Sequence, residues 1–455
     1  MDANRRDSAG TAGTAATPAA VLAPRAAFAI AIGIVVGAGI FRTPSLVAAN
    51  AASEWVFLAA WLLGGLLSII GALCYAELAS GWPQAGGDYA WLRRAFGGRL
   101  AFLYAWSRLA VIQTGSIALL AFVVGDYFAQ LVDIGPWSSS IHAAAAVVLL
   151  TAVNWLGVRE GVATQSWLTA VEVGGLLLIV LAALLFAPDA PVAVAPVADR
   201  SAWGLVLVFV LLTYGGWSEA VYVTAEVRDA PRVMPRVLVG SLVAITVLYL
   251  AVNFAYLRVL GLGGIAGSQT VAADAMSAMF GGGGAALISA LVVVAALTSA
   301  NATLITGARS AWALGRDVPL FARLGRWDAA HGTPRTALLV QGALALALVG
   351  LGSLARDGFR TAVEFTAPVF WLFFLLVGIA LFVLRRREPA TPRPFRVPLY
   401  PLLPLAFCAT SGWLLYSSLA YTGFGAMVGV AVLAAGALLL PFVAARPTPP
   451  EEPTR

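Results

Sequence analysis

The sequence predicts an all-α polytopic membrane protein with twelve transmembrane helices, and three observations lead there. Of 455 residues, 60% are hydrophobic and only 11% charged, against roughly 25% charged in a globular chain. Apolar stretches of about 20 residues recur along nearly the whole length, each long enough at about 1.5 Å per residue to cross a hydrocarbon core of about 30 Å. The basic residues, 28 in all and every one an arginine, sort by side. If the helices alternate, 22 fall on one face of the membrane and five on the other (Arg42, Arg200, Arg258, Arg356 and Arg360), with Arg108 inside a helix. The arginine-rich face is then cytoplasmic, which places both termini inside the cell and predicts a multi-pass protein of the cell (inner) membrane.

Residues 1–24 are rich in Ala, Thr and Gly and lack the compact apolar core and cleavage site of a signal peptide, so a disordered cytoplasmic tail is expected there. Helices are then expected at 25–49, 54–80, 98–131, 138–156, 163–187, 201–226, 234–261, 283–314, 335–354, 361–386, 399–421 and 424–445, followed by a short cytoplasmic tail at 446–455. The third and eighth exceed what a perpendicular span needs and imply tilt. The net charge of +6 belongs to this topology: the arginines flank helices and are not interleaved with exposed aromatics, so no nucleic-acid partner is expected. Cys74 and Cys408 both fall in apolar helices, which suggests packing and neither a disulfide framework nor a metal cluster. His142 and His331 are too few and too far apart for a metal site. No cofactor is implied, and no nucleophile and base are spaced to suggest an enzyme.

Two spans are interrupted near the middle by small residues, GIVVGAGIF in the first and LLTYGGWSE in the sixth. These are corresponding positions if helices 1–5 (about 25–187) and 6–10 (about 201–386) form two halves, with helices 11 and 12 (about 399–445) outside them. An odd number of helices per half inverts the second half in the membrane, the arrangement of many secondary transporters. Unwinding at membrane depth frees backbone groups that must line a wet or ligand-filled cavity. A half-helix beginning near Gly39 would offer free amides and a positive dipole end to an anion. Carbonyls of Val35 and Val36, and those near Leu212 and Thr213, could accept from an ammonium group, and together the two breaks would receive a zwitterion. Taken singly, the glycines are also explained by close helix packing. The run Gly281–Gly284 is not a phosphate loop, because no Lys-Ser/Thr follows it; it reads as an external hinge before the eighth helix.

Five motifs carry a resemblance to a known family: VVGAGIFRTP, CYAELASGWPQAGGDYAWLRRAFG, TYGGWSEAVYVTAEVRDAPRVMPR, GARSAWALGRDVPL and RPFRVPLYP. In this order over residues 26–420 the chain resembles the amino acid–polyamine–organocation superfamily of permeases, most closely its light-chain-type amino acid transporters. The resemblance implies a LeuT-type 5+5 inverted repeat with two extra C-terminal helices and an amino acid held between helices 1 and 6. It implies that the amides of Ala38, Gly39 and Ile40 bind the α-carboxylate and the carbonyls of Val35 and Val36 the α-amine. Tyr214, Gly215, Gly216 and Trp217 match the unwound stretch of helix 6, with Leu212 where relatives often carry an aromatic gate and Ser218 at a more variable polar position. Val111, Ile112 and Ser116 would face the substrate side chain. Such an apolar pocket suggests a neutral, hydrophobic L-amino acid; a cationic amino acid or polyamine would want a carboxylate, for which Glu219 is the nearest residue.

Three departures from the family pattern sharpen the expectations. Glu172 stands in helix 5 where relatives carry a lysine, and Arg108 stands in helix 3 where they often carry an acid. Glu172 is therefore a candidate for coupling substrate to a proton, or for contacting sodium, with an ion pair to Arg108 as the structural alternative. DAPRVMPR replaces the family's Asn-Pro step; Arg93 and Arg94, with Glu226 and Arg232, are candidates for a cytoplasmic gate or simply for a solvated flank. No external cysteine is available, so no disulfide-linked partner is expected. The combined expectation is alternating access for a small-molecule amino acid within membrane lipid, driven by protons or exchange. An amino-acid-binding sensor without net transport is the rival from another class.

Overall fold

A computed structural model describes residues 24–82, 87–157, 162–188, 199–220, 227, 230–328, 331–355, 357–421 and 423–443. Among them the regular structure is helical. The elements are α1 (Pro24–Val35), α2 (Gly39–Ala49), α3 (Glu54–Gly81), α4 (Asp88–Phe96), α5 (Gly98–Ser107), a π-helical turn (Arg108–Ile112) and α6 (Gln113–Ala129). They continue with α7 (Ser138–Trp155), α8 (Val162–Phe186), α9 (Trp203–Thr213), α10 (Trp217–Ala220), α11 (Ala230–Gly267) and α12 (Val271–Asp317). A 3₁₀ turn (Pro319–Phe321), α13 (Arg335–Ser353), α14 (Gly358–Arg387), α15 (Leu402–Tyr421), α16 (Phe424–Leu438) and a second 3₁₀ turn (Leu440–Phe442) follow. Among the described residues eleven helical stretches are long and apolar enough to cross a membrane, and α1 with α2, bent by 46° at their break, makes twelve if the pair is one span.

The elements begin where local chemistry allows. Ser53 caps α3 by accepting from the Val56 amide at 3.3 Å, and Asp357 caps α14 by accepting from the Arg360 amide at 3.0 Å, each satisfying an amide that the first turn leaves open. Small residues then bring helices together: a Cβ on Gly65 would collide with Thr246, joining α3 to α11, and one on Gly33 would collide with Thr169, joining α1 to α8. Without a hydrophobic drive between helices in lipid, close backbone approach of this kind is a main source of packing.

The expected spans recur with three differences. The loop after α3 contains its own helix, α4. The third span is not uniform but passes through the π-helical turn Arg108–Ile112. The hinge expected at Gly281–Gly284 is a kink at Gly281, whose φ of 66° interrupts helix on both sides; a second kink lies at Gly261, φ 68°. The sequence predicts loop between residues 261 and 283, because glycine-rich stretches look like breaks whether or not helix resumes. The expected tails, 1–24 and 446–455, lie outside the described residues apart from Pro24.

Candidate functional site

Both interrupted spans are broken where the glycines stand. Residues 36–38 separate α1 from α2, and Tyr214, Gly215 and Gly216 separate α9 from α10. The two breaks meet: the nearest neighbour of a Cβ on Gly39 is the Thr213 side chain at 3.5 Å, and one on Gly216 would stand 2.5 Å from the Ile34 carbonyl oxygen. Gly216 also has φ +98°, a conformation that costs an L side chain about 1–2 kcal/mol. Gly216→Ala is therefore expected to lower the melting temperature of purified protein clearly. An unchanged melt would show that this crossing is soft.

The N-terminus of α2 has no side-chain cap. The Phe41 amide bonds back to the Ala38 carbonyl at 3.2 Å, and the preceding amides belong to the turn that a helix start leaves without intrahelical acceptors. Ala38 and Ile40 are fully buried, whereas Gly37 and Gly39 are half-buried and a Cβ on Gly37 would meet nothing within 4 Å. Open space thus lies beside uncapped amides at membrane depth. Leu212, Gly215, Ile112 and Ser116 are likewise half-buried, and Val111 is fully buried.

Several predicted side chains have other work. The Val35 carbonyl, expected to take a substrate ammonium, accepts the Tyr249 hydroxyl at 3.3 Å; Val36 is fully buried beside it. Tyr214 is fully buried, donates its hydroxyl to the Trp61 carbonyl at 3.0 Å, and packs on Trp61 and Tyr249. Trp217 packs into an aromatic cluster with Tyr75, Phe374 and Phe407, its ring 5.0 Å from that of Tyr75. Ser218 is buried. These aromatics fix the unwound stretch of the sixth span against α3, α11, α14 and α15. The sequence could not separate that anchoring role from a lining one, since both use aromatic residues beside glycine.

Arg108 does not pair with Glu172. Its guanidinium donates to Glu219 at 2.8 Å, to Ser310 at 3.1 Å and to the Tyr104 hydroxyl at 3.3 Å, linking the third span to α10 and α12. The carboxylate nearest the break is thereby neutralised. Glu172 is buried on α8, and its Oε1 has no hydrogen-bond partner. It stands three residues after Thr169, which abuts Gly33 of α1. The π-helical turn that carries Arg108 and Val111 leaves the Leu109 carbonyl to side chains: Thr114 Oγ1 donates to it at 2.7 Å and Gln341 Nε2 at 3.4 Å. Such turns recur at functional sites. Neither the turn nor Gln341 was singled out from the sequence, because a π-bulge leaves no mark on an apolar pattern.

Two charge clusters stand at the ends of the bundle. On the arginine-poor face Arg42, only 2% exposed, pairs with Asp357 at 2.7 Å and Asp126 at 3.4 Å, joining α2 to α6 and to the cap of α14. Arg42 was counted in the sequence merely as a flanking charge. On the arginine-rich face the described partner of Arg94 is Glu388, at 2.6 Å, in the turn after α14. Glu226 lies outside the described residues, Arg93 sits beside Tyr89 on α4, and Arg232 is exposed near the start of α11. The Glu388 carboxylate also accepts from Trp82 Nε1 at 2.8 Å and Thr391 Oγ1 at 3.2 Å. The Arg94 hydrogen bond, chiefly, holds its carboxyl below the usual range. A carboxyl depressed in the folded state contributes stability above its unfolded pKa and loses it as pH falls through the folded value. Glu388→Gln should therefore melt below the parent at pH 7 and match it under strong acid; parallel curves across that range would contradict this.

The two broken spans of this helical chain meet beside the uncapped start of α2, and broken spans that meet in this way are a feature of many permeases. The family model described as "Amino acid permease" matches residues 22–439, and the chain belongs to that family, within the amino acid–polyamine–organocation superfamily and on its light-chain-type side. It is 27% identical over 399 residues to the serine/threonine exchanger SteT of Bacillus subtilis, covering 86% of this chain and 90% of that one. It is 28% identical to b(0,+)-type amino acid transporter 1 of Mus musculus (82% and 77% covered) and 30% identical to Asc-type amino acid transporter 1 of Homo sapiens (90% and 79%).

Proposed function

We propose that the protein is a secondary active transporter that carries neutral, mainly hydrophobic L-amino acids across the cell membrane by alternating access, as two inverted five-helix repeats of LeuT type with α15 and α16 outside them. The observation that carries this reading is the crossing of the two helix breaks, Gly39 on Thr213 and Gly216 on Ile34, beside the uncapped start of α2. The amides of Ala38, Gly39 and Ile40 hold the substrate carboxylate, in line with anion binding at helix N-termini. The ammonium group takes a carbonyl among those that the break leaves open. Val111, Ile112, Ser116 and Leu212 select the side chain. Neutralisation of Glu219 by Arg108 favours a neutral substrate over a cationic one or a polyamine, because a cation would compete with a guanidinium for the same carboxylate.

Exchange is supported by the name of the Bacillus subtilis relative, and proton coupling by Glu172, a buried carboxyl without a charge partner among the described residues, on the helix that braces α1. Reconstituted vesicles test the whole reading. Labelled neutral amino acid should accumulate, whereas saturable binding without flux would indicate a sensor. In the same vesicles an inward proton gradient should stimulate uptake, and Glu172→Gln should abolish that stimulation while leaving exchange. Uptake indifferent to both the gradient and the substitution rules out coupling through Glu172.

A further inference from the structure

Away from the crossing, a groove of about 1190 Å³ opens between α13 and α16 against the back of the third span. It exceeds the roughly 300–1,000 Å³ of ordinary small-molecule sites. One face of α13 runs along it from Thr336 through Leu344 to Leu351, fifteen positions or about 22 Å. That is longer than one leaflet, half of a hydrocarbon core of about 30 Å. The lining is apolar except for two threonines and Arg323, which stands exposed in the turn between α12 and α13, on the arginine-rich face. Leu351, Phe365 and Val428 also line it, away from Arg323 along α13.

We infer that this groove binds an anionic phospholipid of the arginine-rich leaflet, acyl chain along α13 and headgroup phosphate on Arg323, and that the bound lipid braces the π-helical turn from behind. A cation at one mouth and apolar walls beyond it match a molecule with an anionic head and an apolar tail. A second copy of the chain fits less well. A two-fold axis along the membrane normal would bring the same arginine-rich level of both copies together, with no acidic side chain in the groove lining to meet Arg323. The bracing follows from the inner wall: Leu109, Ala110 and Thr114 line the groove, while Arg108 and Val111 of the same segment serve the site. Gln341 of α13 holds both the Leu109 carbonyl and the Thr114 hydroxyl. An acyl chain against α13 and Leu109 therefore fixes the geometry that aims Arg108 at Glu219. This role in transport rests on the function proposed above; the lipid site itself does not.

The test uses the full chain in phosphatidylcholine vesicles with a phosphatidylglycerol bearing a photoreactive diazirine in its acyl chain. Labelling is expected in residues 319–351, competed by phosphatidylglycerol and not by phosphatidylcholine. Arg323→Gln should weaken it about fivefold, the worth of one interfacial arginine, and Leu344→Trp should block it by filling the groove. Uptake in the parent should rise when phosphatidylglycerol is added, and that response should disappear in both variants. Labelling that ignores competitor and Arg323→Gln would overturn the site, as would cross-links between two copies through α13. Specific labelling with uptake indifferent to phosphatidylglycerol would overturn the bracing role. Specific labelling with no uptake under any condition would overturn the transport reading and leave the lipid site standing.

Discussion

Arg42→Met is expected to cost about 3–5 kcal/mol, the usual effect of removing one partner from a buried ion pair. Arg42 is 2% exposed and faces two carboxylates, Asp126 of α6 and Asp357 at the cap of α14; its ring neighbour is Phe359, 5.4 Å from the guanidinium carbon. Without the cation, two acids remain close together with little water to screen them, and α2 loses its tie to both helices. The loss should appear as a much lower melting temperature in purified protein. Adding Asp126→Asn and Asp357→Asn to the same chain should recover most of it, since the cost lies in uncompensated charge more than in missing contacts. A single variant that melts like the parent would mean that the cluster holds nothing together. Because α2 begins at the proposed carboxylate site, the neutral triple variant should, under the alternating access proposed above, transport with altered rate while remaining folded.

Gly39→Leu should abolish amino acid binding in a protein that still folds. A Cβ at this position lies 3.5 Å from Thr213, an ordinary contact, so the backbone tolerates the first carbon. The remaining atoms of leucine would have to share the crossing beside Thr213 with the carboxylate proposed to sit on the α2 amides. Losing two hydrogen bonds to a charged carboxylate, at about 1.5–3 kcal/mol each, lowers affinity by at least about 100-fold. Ligand-dependent thermal stabilisation measures this directly, since a bound amino acid raises the melting temperature by mass action. Melting near that of the parent with no ligand shift is the expected pair of results; retained affinity would place the carboxylate elsewhere.

Much of this was legible in the sequence because membrane solvent imposes simple rules. Apolar length marks spans, and glycine in mid-span marks a break, so the interruptions at residues 36–38 and 214–216 were readable, whereas the helix that continues through Gly281 was not. Side-chain partners across helices were not. Glu172 and Arg108 looked like a swapped pair because each reversed the sign its relatives carry, yet Arg108 reaches Glu219, 111 residues along the chain. Arg42 looked like an orientation signal although it is buried. Tyr214 and Trp217 were expected as lining, and the packing that buries them against Trp61 and Tyr75 was not legible.

By itself the sequence determined a multi-span helical protein with two broken helices, since hydropathy, glycine position and arginine placement are local properties that lipid enforces residue by residue; the likeness to amino acid permeases rested on its five motifs. The tertiary structure alone decided which charges are neutralised, which carbonyls are already occupied, and that the two breaks touch. Those depend on the rotation and tilt of each helix about its axis, which are set by close packing at positions such as Gly33, Gly65 and Gly216 and leave no periodic trace in a chain apolar on every face.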